Sequence, residues 1–206
     1  TPWTLPGNTA LALNQDALYI KFLKNNEQGV YISSKEYFYS LAGGNINAEE
    51  FFGQIKNGSV SLGDYQVTSS ILGRDLVGKS YKPVFPYFEN VDIENKENIW
   101  KIWHADFITL DTGTGIAHEA PAFGAEDMDL AKANNIPVIK HVKMDGTFIP
   151  SVTDFAGMKV KQKDDTQSAD IEIIKWLAHN GKLFEKHKII HSYPRCWRCK
   201  TPLLNY

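Results

Sequence analysis

Two stretches of this chain carry side chains suited to chemistry. The run Gly113-Thr114-Gly115-Ile116-Ala117-His118-Glu119-Ala120-Pro121-Ala122-Phe123-Gly124-Ala125-Glu126-Asp127 combines close-set glycines with an imidazole, His118, and a carboxylate, Asp127, nine positions later. Glycines let a backbone approach a ligand closely, and polar side chains on a loop between regular elements are where binding and catalysis concentrate. The other stretch, Thr1-Pro2-Trp3-Thr4-Leu5-Pro6-Gly7-Asn8, sets hydroxyls and prolines around one large aromatic ring. The hydroxyls of Thr1 and Thr4 can hydrogen-bond a water and aim it at an electrophile without becoming nucleophiles themselves. Such chemistry requires the two stretches to face each other.

Each of these residues also has a plainer role open to it. An acid in the first turn of a helix, as Asp127 is, complements the helix dipole or caps free N–H groups. Threonines at a chain end are ordinary β-formers or turn residues, and His118 is open to three roles: a pocket wall, a general base, or a hydrogen-bonded core histidine. Trp3, Phe123 and Tyr193 are packing residues by type, while stacking on a base would use the same rings. Glu119 and Glu126 read as solvated or structural. Cys196 and Cys199 form a single C-x-x-C, which has the spacing of one arm of a tetrahedral zinc site. A metal-dependent hydrolase using His104, His118, Glu119 and Asp127 is a further alternative, although no His-x-x-x-His spacing favours it.

The elements that must position these groups are mostly strands. Thr9–Leu13, Leu18–Leu23 and Val30–Ser33 read as a meander, and Ser33-x-x-Glu36 as a capping box opening a short helix that Gly43-Gly44 closes. Asn47-x-x-Glu50 repeats the device, and Tyr65–Leu72 returns to strand. Gly73–Phe88 contains two prolines that forbid a helix and too many apolar residues for a floppy loop, so it must pack. Lys101–Leu110 reads as a strand feeding the glycine run, and Glu126–Asn134 as a helix. Pro137–Val142 and Thr147–Ile149 read as strands around the Asp145-Gly146 turn. Lys161–Thr166 is expected to be exposed. Gln167–His179 is expected to be a helix with Ile171, Ile174, Leu177 and Ala178 on its apolar side and Gly181 at its cap. A boundary is placed at residue 182, separating 1–182 from a C-terminal piece, 183–206, with little core of its own.

At 206 residues, with 43% hydrophobic and 22% charged residues, the chain can bury one good core and is not disordered. With 22 Lys and Arg against 24 Asp and Glu, its surface as a whole cannot be a phosphate-binding field, so any nucleic-acid contact must be local. No apolar run approaches the roughly 20 residues of a membrane helix, and no leader pattern opens the sequence, so a cytoplasmic protein without membrane contact is expected. Opening without a methionine, the sequence reads as a piece of something larger.

Four stretches in order, Thr1–Asn8, Gly73–Phe88, Gly113–Asp127 and His191-Ser192-Tyr193-Pro194-Arg195-Cys196-Trp197-Arg198-Cys199, together resemble the editing domain inserted in class I isoleucyl-tRNA synthetases. The relatives that edit for valine and leucine share the Gly-Thr-Gly lead and resemble the chain less. The resemblance implies a mixed, β-rich fold built around a β-barrel with peripheral α-helices. It implies hydrolysis of the ester of valyl-tRNA(Ile), with Asp127 capturing the α-ammonium and Thr1 and Thr4 holding the water. His118, Trp3, Phe123, Tyr193 and Gly115 would then bind the substrate, His118 by excluding isoleucine's extra methylene. No cofactor is implied for editing. A structural zinc is implied for the parent enzyme, completed by donors upstream of this sequence. The implied partners are the 3′ end of tRNA(Ile) carrying valine and the parent's catalytic domain, with the chain itself a monomer. No adenylate-forming signature is visible, so charging of tRNA is not expected of this piece. A non-catalytic module that only holds acceptor ends is the competing reading.

Overall fold

The structure is a computed structural model that describes residues 1–43, 51, 53–54, 60–188 and 192–205. It divides into two compact units, one made of Thr1–Thr9, Lys82–Trp100 and Glu119–Tyr206, the other of Ala10–Tyr81 and Lys101–His118.

The second unit carries the sheets. Its strands are β1 (Ala10–Leu13), β2 (Leu18–Lys24), β3 (Tyr31–Ser34), β4 (Val60–Leu62), β5 (Tyr65–Leu72), β6 (Lys101–His104) and β7 (Ile116–Glu119), the last residue of β7 falling in the first unit. They form a three-stranded sheet in the order β6-β1-β7 and a four-stranded sheet in the order β3-β2-β5-β4. The strand β1 lies parallel to β6 with Ala10 opposite Lys101, and β2 pairs antiparallel with β5 across a bulge at Lys21/Phe22. The expectation of a mixed fold of sheets and helices holds, but no closed barrel is seen among the described residues. The four-stranded sheet ends on β3 and β4, strands of four and three residues.

Leu13, Ala17, Tyr19 and Leu76 form the core beneath β1 and β2, so the Gly73–Phe88 stretch does pack, through Leu76 on this side. The helix α1 (Lys35–Leu41) is capped by Ser34, whose Oγ accepts from the Tyr37 N–H at 3.2 Å, one residue later than the Ser33 capping box expected. Ser33 turns its hydroxyl to the Ser34 carbonyl instead. Phe38 of α1 packs on Phe22 and stacks on Phe51. The Asn47-x-x-Glu50 motif lies outside the described residues. The strand expected over 101–110 stops at His104, where Ala105 N–H returns to the Leu13 carbonyl and the chain turns.

The first unit is mostly helix and turn around an aromatic core of Trp3, Phe85, Phe88, Phe123, Phe148 and Phe155, joined by Ile173 and Leu177. It opens with a 3-10 helix over Pro2–Gly7 and contains α2 (Ala125–Asn134) and α3 (Ser168–His179). The stripe that α3 buries is Ala169, Ile173 and Leu177, while Ile171 is 45% exposed, contrary to expectation. At 100° per residue, Ile171 points roughly opposite Ala169 and Ile173 shares its face. Gly181 ends α3 as expected, with Lys182 N–H bonded to the Leu177 carbonyl and Gly181 N–H to that of Ala178.

The strands expected at 137–142 and 147–149 are not formed. The Asp145-Gly146 turn is present, with Asp145 Oδ1 accepting the Thr147 N–H, but only the single bridges Val142–Phe148 and Thr147–Lys159 surround it. Val142 and Phe148 are apolar because they fill the core, which requires no ladder.

Candidate functional site

The opening 3-10 helix lies against the turn that precedes α2, and both belong to the first unit. Trp3, 4% exposed, meets the edge of Phe123 with ring centroids 5.0 Å apart at 71°. Just beyond the helix, Thr9 N–H donates to the Glu119 carbonyl at 3.0 Å. Trp100 locks this end from the other side. Its N–H donates to the Thr9 carbonyl at 2.7 Å and its Nε1–H to that of Asn8 at 3.0 Å. Trp100 holds a φ of +54°, a conformation that costs a bulky residue about 1–3 kcal/mol and persists only where surrounding contacts determine it.

His141 supports the helix from beneath. It is fully buried, its Nε2–H donates to the Trp3 carbonyl at 3.0 Å, and its ring lies 4.9 Å from Phe123 and 5.8 Å from Phe148. Burial pushes its pKa down to about 4, so the ring is neutral near pH 7. Position 7 must be glycine, because a Cβ there would lie 1.9 Å from His141 Nδ1.

Asp127 occupies the first turn of α2 and closes the preceding turn on itself. Its Oδ2 accepts the Ala120 N–H at 2.7 Å, and its Oδ1 sits so close over Gly124 that a Cβ there would be 2.3 Å away. The carboxylate therefore ties the 120–127 turn together rather than capping α2, whose N-cap is Gly124 with no side-chain cap hydrogen bond. Glu119, expected to be solvated or structural, is 2% exposed and hydrogen-bonds to Asp127. Burial, then the charge of Asp127, pushes the Glu119 carboxyl up to about 8. Near pH 7 Glu119 is thus mostly protonated.

Thr4 is buried and its Oγ1 donates to the Thr1 carbonyl at 2.7 Å, while Thr1 is exposed. Trp3 Nε1 is buried and has no hydrogen-bond partner among the described residues. An orphaned buried donor costs about 1–3 kcal/mol, and a site shaped for a ligand is one place where such a cost is found.

The structure thus packs Trp3 against Phe123 of the turn that Asp127 closes, with Thr1 and Thr4 flanking Trp3 at the start of the chain. His118 and Gly115 belong to the second unit, on β7 and at the turn before it. Gly115 has φ +72° and packs on Ser34, where a Cβ would lie 2.6 Å from that of Ser34, and its carbonyl accepts from Tyr19 Oη at 2.8 Å. Tyr193 lies over Lys161, its ring centroid 5.7 Å from the ammonium. Lys161 is itself not the solvated charge expected, since its side chain is 10% exposed and pairs with Asp170 at 2.6 Å. His141 and Asp170 were missed in the sequence because each owes its role to a burial that no local pattern marks, while Glu119 takes the structural of the two roles open to it.

Cys196 and Cys199 sit in a knuckle closed by Cys196 N–H to the Thr201 carbonyl and Lys200 N–H to that of Cys196. Hydrogen bonds with Thr201 lower the Cys199 thiol to about 7, and a tetrahedral zinc site would need two donors beyond these two thiols. Among the described residues no group of three or more His, Cys, Asp or Glu side chains is gathered to hold a metal ion, and His104 of the alternative donor set pairs with Asp106.

No family model matches the chain. It aligns with the isoleucine–tRNA ligase of Clostridium tetani at 36% identity over 206 residues, covering 100% of this chain and 17% of that protein. With the cytoplasmic isoleucine–tRNA ligase of Schizosaccharomyces pombe the identity is 38% over 209 residues, 99% of this chain and 17% of that one. With the probable cytoplasmic isoleucine–tRNA ligase of Dictyostelium discoideum it is 34% over 212 residues, 99% and 18%. The chain therefore spans 17–18% of the length of these curated relatives. Among solved structures, the crystal structure of GlLeuRS-CP1 has the same fold, with a TM-score of 0.59 at 17% identity over 94% of this chain and 81% of that one.

Proposed function

Over its whole length the chain is homologous to one segment of the isoleucine–tRNA ligases, and from that premise we propose that it is their editing domain, a hydrolase of the ester in valyl-tRNA(Ile). A second site is needed because one missing methylene in a hydrophobic pocket is worth only about 1–3 kcal/mol, isoleucine against valine being the standing instance of that figure rather than a result of this structure.

The observation that supports the reading is the packing of Trp3 on Phe123, which sets the threonine-bearing helix beside the Asp127 turn. Asp127 offers its charge to the substrate's α-ammonium, and protonated Glu119 keeps that carboxylate oriented by hydrogen bonding. An aminoacyl ester is reactive enough for a positioned water to suffice, and Thr1 and Thr4 hold it. For His118 the reading is steric exclusion of a larger side chain, since over-packing costs more than a gap, and it rests on the family resemblance alone. Trp3, Phe123 and Tyr193 receive the side chain or the terminal adenosine. The partners are the tRNA(Ile) 3′ end and the ligase's catalytic domain, in the cytoplasm.

The test is deacylation of valyl-tRNA by the purified chain and by Asp127→Ala. Loss of hydrolysis in the variant supports the assignment. Binding of acceptor ends without release of valine by either protein would favour the non-catalytic module.

A further inference from the structure

Trp3 is gripped at both polar groups of its backbone by side chains far away in sequence. Its carbonyl accepts from His141, as described, and its N–H donates to Asp170 Oδ1 at 3.0 Å across 167 positions. Asp170 lies in the first turn of α3, with its side chain 15% exposed. Its other oxygen accepts from Lys161 Nζ at 2.6 Å, and the same ammonium donates to the Thr166 carbonyl at 2.9 Å.

An ion pair so enclosed loses hydration that its mutual attraction repays only with good geometry and further hydrogen bonds. Both partners have them here, Asp170 from Trp3 and Lys161 to Thr166. What an apolar contact at this place would not supply is direction. With Oδ2 fixed by Lys161, Oδ1 is aimed at one N–H, and that N–H lies between the two threonines. The Thr4 hydroxyl is bonded back to the Thr1 carbonyl, so holding the peptide of Trp3 holds both hydroxyl-bearing residues.

We propose that Asp170, oriented by Lys161, is a positioning residue that sets Thr1 and Thr4 in register with the Phe123–Asp127 turn. For its effect on rate this inference rests on the hydrolytic reading above, and for the grip itself on geometry alone.

Two charge-free double variants isolate the grip. Lys161→Met/Asp170→Asn keeps an oxygen for the Trp3 N–H, and Lys161→Met/Asp170→Leu removes it at similar volume. Amide hydrogen exchange at Trp3 and steady-state deacylation of valyl-tRNA are measured on both and on the wild type. In the leucine variant Trp3 exchange is expected to rise at least about tenfold while the core amides of α3 keep their relative protection. Its kcat is expected to fall by up to about 100-fold with little change in KM, since a water is mispositioned rather than a substrate lost. The asparagine variant is expected to recover most of both. A general loss of stability would move the two variants together and would not separate kcat from KM.

Equal Trp3 protection in the two variants overturns the grip. A loosened Trp3 with undiminished kcat overturns the positioning role. A wild-type chain that does not hydrolyse valyl-tRNA refutes the functional reading instead, and Trp3 exchange then decides the grip by itself.

Discussion

Replacing Glu119 by glutamine is expected to remove most of the alkaline destabilisation of this chain. In the folded protein the carboxyl is raised from 4.5 to about 8, so the folded state holds a proton that the unfolded chain has released. Stability from this group is therefore fully present below the unfolded value and is lost as pH rises through the folded one. Each unit of separation is worth about 1.4 kcal/mol, which puts a ceiling near 5 kcal/mol on the loss. Water reaching the ionised group brings the realised figure to about 2–3 kcal/mol. Glutamine is neutral throughout and can donate to Asp127 as the protonated acid does. Urea unfolding of both proteins at intervals from about pH 5 to about pH 9 reads the effect directly. The stability of Glu119→Gln relative to wild type is expected to climb by that amount across the range. A difference that stays constant with pH would mean that Glu119 titrates as it does in the unfolded chain, and the carboxyl pair would have to be abandoned.

Gly7→Ala forces a methyl into the His141 ring and is expected to cost about 1–3 kcal/mol or more, measured as a lowered urea midpoint; a neutral effect would show that the helix and ring can part without penalty. His118→Ala is expected to make isoleucyl-tRNA a substrate by about tenfold or more over wild type in a deacylation assay, as removal of a steric wall requires, and unchanged resistance would count against that role. Cys199 is expected to alkylate with a midpoint near pH 7, as its hydrogen bonds with Thr201 dictate; followed by mass spectrometry against pH, a midpoint at the ordinary thiol value would refute the knuckle geometry.

The sequence resolved what depends on local rules and lost what depends on burial. The strands β1, β2 and β5 follow from alternation and turn residues, and the cap of α3 follows from Gly181. The strands expected beyond residue 136 were misplaced because Val142 and Phe148 are apolar to fill a core, which strand periodicity cannot distinguish from pairing. Lys161 looked like one charge in a solvated run, and only the fold sets it beside Asp170. The candidate site was legible in the threonines, Trp3, Phe123 and Asp127, whose types advertise their chemistry. Glu119 was not, because nothing local distinguishes a buried proton-holding glutamate from a solvated one.

The central claim is a cleft that admits valine, excludes isoleucine and depends on the charge of Asp127. It is tested most directly by the deacylation rates of valyl-tRNA(Ile) and isoleucyl-tRNA(Ile), side by side, on the wild-type chain and on Asp127→Ala. The account predicts release of valine at least about tenfold faster than of isoleucine, the scale one methylene allows, and no release by the variant. Equal release of both amino acids, or hydrolysis that survives the loss of Asp127, would contradict it.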